Sequence, residues 1–172
     1  MKILISGGTG LIGQALTRYF LNAGHQIVIL TRNADRRDPR EKLQFVQWDA
    51  KSTTQLLPLF TDVDAVINLA GENIGSGSWS KERKVRIVQS RIQAGNALAE
   101  AVVAAEKKPE VFIQASGVGY YGTSENLTFD ESSPNGDDFL GDVLSAFNQT
   151  EPDSVFPNFV PSDFVMSGYT MP

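Results

Sequence analysis

Cysteine is absent from the 172 residues, and histidine occurs once, at His25. The chain therefore has no disulfide, no thiolate nucleophile and no Cys-ligated metal site. One histidine cannot anchor a His-based metal cluster, and His25, in an AGH turn, reads as a surface residue. No apolar run approaches the roughly 18 residues of a membrane span. Lys2 precedes only a short apolar stretch broken by glycines, which is not a secretory leader pattern. Basic residues are in deficit, 15 against 20 acidic, for a net charge of -5. That balance argues against nucleic acid or an anionic membrane as the main partner. The expectation is a soluble protein of the reducing cytoplasm.

The residues present are those of an ordinary globular domain, 41% hydrophobic and 20% charged. KILIS at 2–6 reads as a buried strand, GGTG as a turn, and LIGQALTRYFLNAG as a helix stopped near Gly24. Leu11, Ile12, Ala15, Leu16, Tyr19 and Phe20 recur three and four apart on that helix. HQIVILT predicts a second strand, LQFVQW at 43–48 a third, DAVINLAG at 64–71 a fourth and EVFIQAS at 110–116 a fifth. A helix is predicted over 52–60, and a long one from Ser80, a capping residue, to about Lys107. Alternating strands and helices predict an α/β fold, a doubly wound parallel sheet, and the common arrangement of such sheets gives the order 3-2-1-4-5. The ligand crevice then lies at the carboxyl ends of the strands. From about residue 141 the pattern changes, with four prolines and no sustained period, so 142–172 is expected to be irregular or disordered.

GGTGLIG carries the chemistry. Gly7, Gly10 and Gly13 stand between a buried strand and an amphipathic helix, spaced to let backbone approach a pyrophosphate. The helix N-terminus offers unpaired N–H groups to phosphate, which makes Leu11 and Ile12 cofactor-binding candidates beside the glycines. The Gly-Lys-Ser/Thr ending of a triphosphate-binding loop is missing. Strand two ends in Thr31 and Arg32, with no carboxylate before Asp35. An acid there would hold a ribose 2′-hydroxyl, whereas arginine takes a 2′-phosphate, so NADP is favoured over NAD. Arg36, Arg37 and Arg40 are either helpers at that phosphate or ordinary surface charges. Asp49 either accepts from the adenine amine or caps the next loop. Ala70 and Gly71 let backbone come close to the cofactor, and Asn73 either meets ribose or substrate or forms a turn. Lys84, Arg86 and Arg91 on the long helix are solvated or paired with acids such as Glu82.

Taken in register, ISGGTGLIG, LTRN, WD, DAVINLAGENI, ERK, SR, ASGVGYYG, DESSP and DDFL resemble the atypical, epimerase-like branch of the short-chain dehydrogenase/reductase superfamily, the NAD(P)-dependent sugar-nucleotide epimerase-like group. The resemblance covers about residues 1–141. It implies a Rossmann domain over 1–141 that binds NAD(P), with a small-molecule substrate of undefined identity. It also implies Arg32 at the 2′-phosphate, Asp49 at the adenine, and Leu69, Ala70 and Gly71 as a wall beside the cofactor. Ser116 lies at or next to the hydroxyl that polarises a substrate carbonyl in that superfamily.

Two departures bear on activity. Active members use a tyrosine with a lysine four residues later, because a phenol near pKa 10 needs a neighbouring cation to work near neutrality. FLGDVLSAFNQT has neither residue, and the positions four after Tyr120 and Tyr121 are Ser124 and Glu125. Ser116 and Tyr121 are the catalytic candidates that remain, Tyr121 with the alternative of packing under its loop. The family pattern also stops near Gly141, which reads as a truncated chain whose tail replaces the substrate-binding region. Strand five then has an exposed edge that invites self-association. A catalytically inactive dinucleotide-binding domain is the competing reading.

Overall fold

The computed structural model describes residues 1–34, 40–130 and 132–150. Its five strands are β1 (Lys2–Ser6), β2 (Gln26–Thr31), β3 (Leu43–Gln47), β4 (Ala65–Asn68) and β5 (Val111–Gln114). All pair in parallel, as the alternation of elements predicts, and in the order β3-β2-β1-β4-β5 expected of the common doubly wound arrangement. The helices are α1 (Leu11–Asn22), α2 (Lys81–Ala104) and α3 (Phe139–Asn148). Among the described residues, no helix is long and apolar enough to cross a membrane.

Strand residues alternate between two cores. Leu4, Val28, Leu30, Val66 and Phe112 face α2, where they meet Ala94, Leu98, Ala101 and Val102. Ile3, Ile5, Ile27, Ile29, Ala65 and Ile67 face the other way, toward Leu16, Phe20 and Leu21 of α1. Each fully buried aliphatic side chain contributes about 2 kcal/mol. The α1 face ends short of β5, where Val111 and Ile113, in register with Ala65 and Ile67, stay 40% and 42% exposed.

Several elements depart from the sequence reading. Leu11 (90%), Ile12 (55%) and Tyr19 (68%) of the expected apolar stripe are exposed, and α1 instead buries Gly13 and Thr17. The helix expected at 52–60 is a single 3-10 turn, Leu57–Leu59. Pro58 removes a donor there, and the hydroxyls of Ser52, Thr53 and Thr54 bond locally or to Glu100. The long helix starts as expected, with Ser80 Oγ accepting from Arg83 N–H, and ends at Ala104. Lys108 then donates to the carbonyls of Val103 and Ala105 ahead of Pro109, which disfavours helix in the residue before it.

The largest correction concerns 142–150. α3 carries the chain past residue 141, with Val143, Leu144 and Phe147 buried. Asp138 caps it, accepting from the N–H groups of Leu140 and Gly141. The helical period is present in FLGDVLSAF, ahead of the first proline of the tail. Residues 151–172 lie outside the described residues, as do Arg36 and Arg37.

Candidate functional site

The crevice opens where β1 and β4 hand the chain to opposite faces of the sheet, and the glycine turn forms its floor. Gly7 has φ +69°, and a β-carbon there would lie 2.5 Å from the Leu69 carbonyl oxygen. Only glycine lets the β1 turn and the β4 exit approach so closely. A β-carbon on Gly13 would lie 2.5 Å from both the Gly7 oxygen and Gly8 Cα, so Gly13 seats α1 against the turn. Gly10 N–H donates to the Gly7 carbonyl at 3.0 Å, and the Gly10 carbonyl accepts from Gln14. Gly10 is also the N-cap of α1, with no side-chain cap bond and no acid in the first turn. The positive end of the helix dipole, with Leu11 and Ile12 beside it, is thus left for an external anion.

The β4 exit lies against this turn. Leu69 N–H donates to the Ser6 carbonyl at 3.1 Å, and Ala70 N–H to Asn68 Oδ1 at 3.1 Å. Asn68 belongs to a buried polar ladder across the carboxyl-end row of three strands. Ser6 Oγ donates to Asn68 Oδ1 at 2.5 Å, and Asn68 Nδ2 donates to Gln114 Oε1 at 2.9 Å. Gln114 Nε2 then donates to the Phe147 carbonyl at 2.8 Å and to Thr150 Oγ1 at 3.1 Å, at the end of α3. Such a chain fixes geometry because every broken link leaves a buried polar atom unpaired.

Three side chains of α2 pin the loop that follows. Arg83 is buried and donates through Nη2 to the Asn73 carbonyl and Ser76 Oγ, while Arg86 meets Glu72 at 3.3 Å. The acid that serves these arginines is Glu72; Glu82 instead accepts from Ser80 Oγ. Arg91 Nη1 donates to the carbonyls of Glu72 and Ile87, and its guanidinium covers Gly71, with Cζ 2.9 Å from where a β-carbon would be. Burial pulls the Arg91 pKa below the usual arginine value, and Glu72 pushes back. The group stays charged at neutral pH because arginine starts so high. Asn73 Oδ1 accepts from Gly75 N–H at 2.8 Å, which is turn geometry.

At the ends of β2 and β3, Arg32 lines a cavity of about 340 Å³ with Gln47, Trp48, Asp49, Lys51 and Gln55. Thr31 ties the strand ends together, its carbonyl accepting from Trp48 N–H at 2.9 Å. Asp49 Oδ1 accepts from the N–H groups of Lys51 and Ser52, so the loop-capping role is realised in the structure.

The region after β5 is different in kind. Ser116 is half-buried two residues beyond the strand. Tyr121 is buried, stacked on Phe129 at 5.4 Å and edge-on to Tyr120 at 5.1 Å, which is packing geometry. No lysine stands four residues after either tyrosine in the sequence, and Lys84 lies over the Phe139 ring, beside Trp79.

The family model described as "NAD dependent epimerase/dehydratase family" matches residues 3–139. The chain belongs to this family. It is 41% identical to the epimerase family protein YfhF of Bacillus subtilis over 143 residues, 81% of this chain and 46% of that protein. It is 32% identical to human epimerase family protein SDR39U1 over 148 residues, 84% of this chain and 47% of that protein. The crystal structure of human SDR39U1 (isoform2) with NADPH superposes with a TM-score of 0.73 at 31% identity, covering 87% of this chain and 48% of that one. A Bacillus cereus UDP-glucuronic acid 4-epimerase in complex with UDP-glucuronic acid and NAD gives 0.72 at 24% identity, over 92% of this chain and 53% of that one, a likeness of fold alone. The chain spans about half the length of the curated relatives it matches.

Sequence reasoning found the glycines, Arg32 and the β4 exit. It missed the ladder residues Asn68, Gln114 and Thr150, and it left Arg91 as either solvated or paired with an acid. The contact of Arg91 with Gly71 joins positions 20 apart through helix packing, for which the local pattern holds no signal.

Proposed function

We propose that this chain binds a nicotinamide dinucleotide across the carboxyl ends of its strands, preferring NADP. The observation that carries the reading is the Gly7–Gly13 turn, which leads from β1 into a helix N-terminus without a side-chain cap, with Arg32 at the end of the adjacent strand β2. In this arrangement the amides of Leu11 to Gly13 hold the pyrophosphate, Arg32 the 2′-phosphate, and Leu69 to Gly71 the wall beside the central ribose. Arg91 adds a cation at Gly71. The NADPH in the human SDR39U1 structure supports the NADP preference.

The bound cofactor would supply hydride chemistry, in keeping with an epimerase- or oxidoreductase-like protein acting on a small molecule. A second reading, a dinucleotide-binding domain without turnover, is favoured by the stacking of Tyr121 on Phe129 and by a sequence with no Tyr-x-x-x-Lys spacing at either tyrosine after β5. Under the enzyme reading Ser116 is the hydroxyl offered to a substrate carbonyl. The open face of β5 at Val111 and Ile113 supports self-association through that edge. The lack of cysteine suits a cytoplasmic setting.

Titration of the purified chain with NADPH and NADH, read by nucleotide fluorescence, tests the cofactor reading. Saturable binding with NADPH the tighter ligand is expected, and binding of neither refutes it. Hydride transfer from bound NADPH to a panel of carbonyl compounds and nucleotide sugars separates the enzyme from the inactive domain. Sedimentation of the wild type against Ile113→Lys tests the edge, with a monomeric wild type counting against self-association.

A further inference from the structure

The cavity at Arg32 holds more than the residue that the dinucleotide pattern assigns to it. A ribose 2′-phosphate is a phosphomonoester and carries about 1.5 to 2 negative charges at neutral pH. Arg32 supplies one positive charge, and the carboxylate of Asp49 lines the same cavity. With those two residues alone the seat would be formally neutral. Lys51, on the same lining, makes it cationic.

We propose that Lys51 is a second cation of the 2′-phosphate seat and, with Arg32, sets the preference of this chain for NADP over NAD. The inference rests on the dinucleotide reading above and names a specificity determinant within it. The turn that carries Lys51 is built rather than merely exposed. Asp49 Oδ1 accepts from Lys51 N–H at 3.0 Å and from Ser52 N–H at 2.7 Å. The indole of Trp48, itself 3% exposed, donates to the Ser52 carbonyl at 3.0 Å. Asp49 N–H donates to Gln55 Oε1 at 3.3 Å, tying a further cavity residue to the same turn.

Between these anchors Ala50 sits at φ +65°, the one non-glycine residue with positive φ among those described. A side chain in that region is strained, and such strain persists only where the surroundings over-determine it. Here the hydrogen bonds of Asp49 and Trp48 hold that conformation just before Lys51, on the same cavity lining as Arg32. The guanidinium fork takes two phosphate oxygens in its plane, and the ammonium, a point donor, suits the third. Gln47 and Gln55 offer amide donors at the same seat without adding charge. A 2′-hydroxyl needs none of this positive charge, so the device discriminates between the two cofactors.

The test is Lys51→Gln in the full chain, titrated with NADPH, NADH and 2′,5′-ADP. Trp48 in the cavity wall serves as a fluorescence reporter. Affinity for NADPH and for 2′,5′-ADP is expected to fall by about five- to tenfold with NADH unchanged, the loss of one charged hydrogen bond. The salt dependence of NADPH binding should become shallower in the variant. Unchanged NADPH affinity would overturn the proposal. Parallel losses for NADPH and NADH would also overturn it, since they mark a turn that serves folding alone. Wild-type chain that binds neither nucleotide would remove the dinucleotide reading itself, an outcome distinct from either of these.

Discussion

The two ends of the crevice are built by different means. At the dinucleotide end, backbone does the work: Gly7 and Gly13 permit approaches that any β-carbon would block, and α1 presents its N-terminus without a cap. Beyond β5, side chains do the work, and they pack on one another, Tyr121 on Phe129 and Trp79 on Phe139. The first arrangement leaves the helix N-terminus without a side-chain cap, while in the second the rings pack on one another. On the proposed reading, cofactor binding and chemistry would therefore be separable in this chain.

The sharpest break of that contrast is Gly13→Ala. Its β-carbon would meet backbone atoms at 2.5 Å, so a stability loss of about 3 kcal/mol in urea unfolding is expected. NADPH affinity should fall by more than about a hundredfold, or about 2.7 kcal/mol. Tyr121→Ala should cost a similar about 3 kcal/mol, as large-to-small changes in aromatic packing do. Its NADPH affinity should nonetheless stay within about twofold of wild type, because the ring packs on Tyr120 and Phe129. A large affinity loss there would merge the two regions.

Asn68→Leu leaves the Ser6 hydroxyl and the Ala70 amide without their acceptor. An expected loss of about 2 kcal/mol follows from unpaired buried polar groups, measurable by thermal unfolding. Arg32→Ala should weaken NADPH by about tenfold, about 1.4 kcal/mol, and leave NADH nearly unchanged. Equal losses would show that Arg32 does not read the 2′ position.

The smallest effect is on pH dependence, away from both regions. The Lys107 ammonium, and next the Lys2 amide, hold the Asp64 carboxyl below its ordinary range. A depressed folded pKa gives stabilisation that is present above the unfolded carboxylate pKa. It is lost as pH falls through the lowered folded value. Asp64→Asn lacks this contribution, so wild-type and variant stabilities should converge in acid. Parallel curves at all pH values would remove Asp64 from the acid response.

What was legible in the sequence follows the same division. The strand segments, the glycine turn and Arg32 are local patterns, each decided within a few residues by period, spacing or turn chemistry, whereas the strand order follows from the common arrangement of doubly wound sheets. The Ser6–Asn68–Gln114–Thr150 ladder spans the chain, and no local window contains it. α3 is the instructive miss, since FLGDVLSAF carries a helical period but stands beside a proline-rich tail whose character dominated the reading. Asp49 shows the converse: both roles were open in the sequence, and only the hydrogen bonds to Lys51 and Ser52 reveal the cap.

The central claim is that a dinucleotide sits on the glycine turn and the β4 exit. Amide hydrogen exchange of the full chain, with and without saturating NADPH, tests it most directly. The account predicts protection concentrated at Gly8–Gly13 and Leu69–Gly71, with Ser116–Tyr121 little changed. Protection absent from the glycine turn, with or without protection elsewhere, would contradict it.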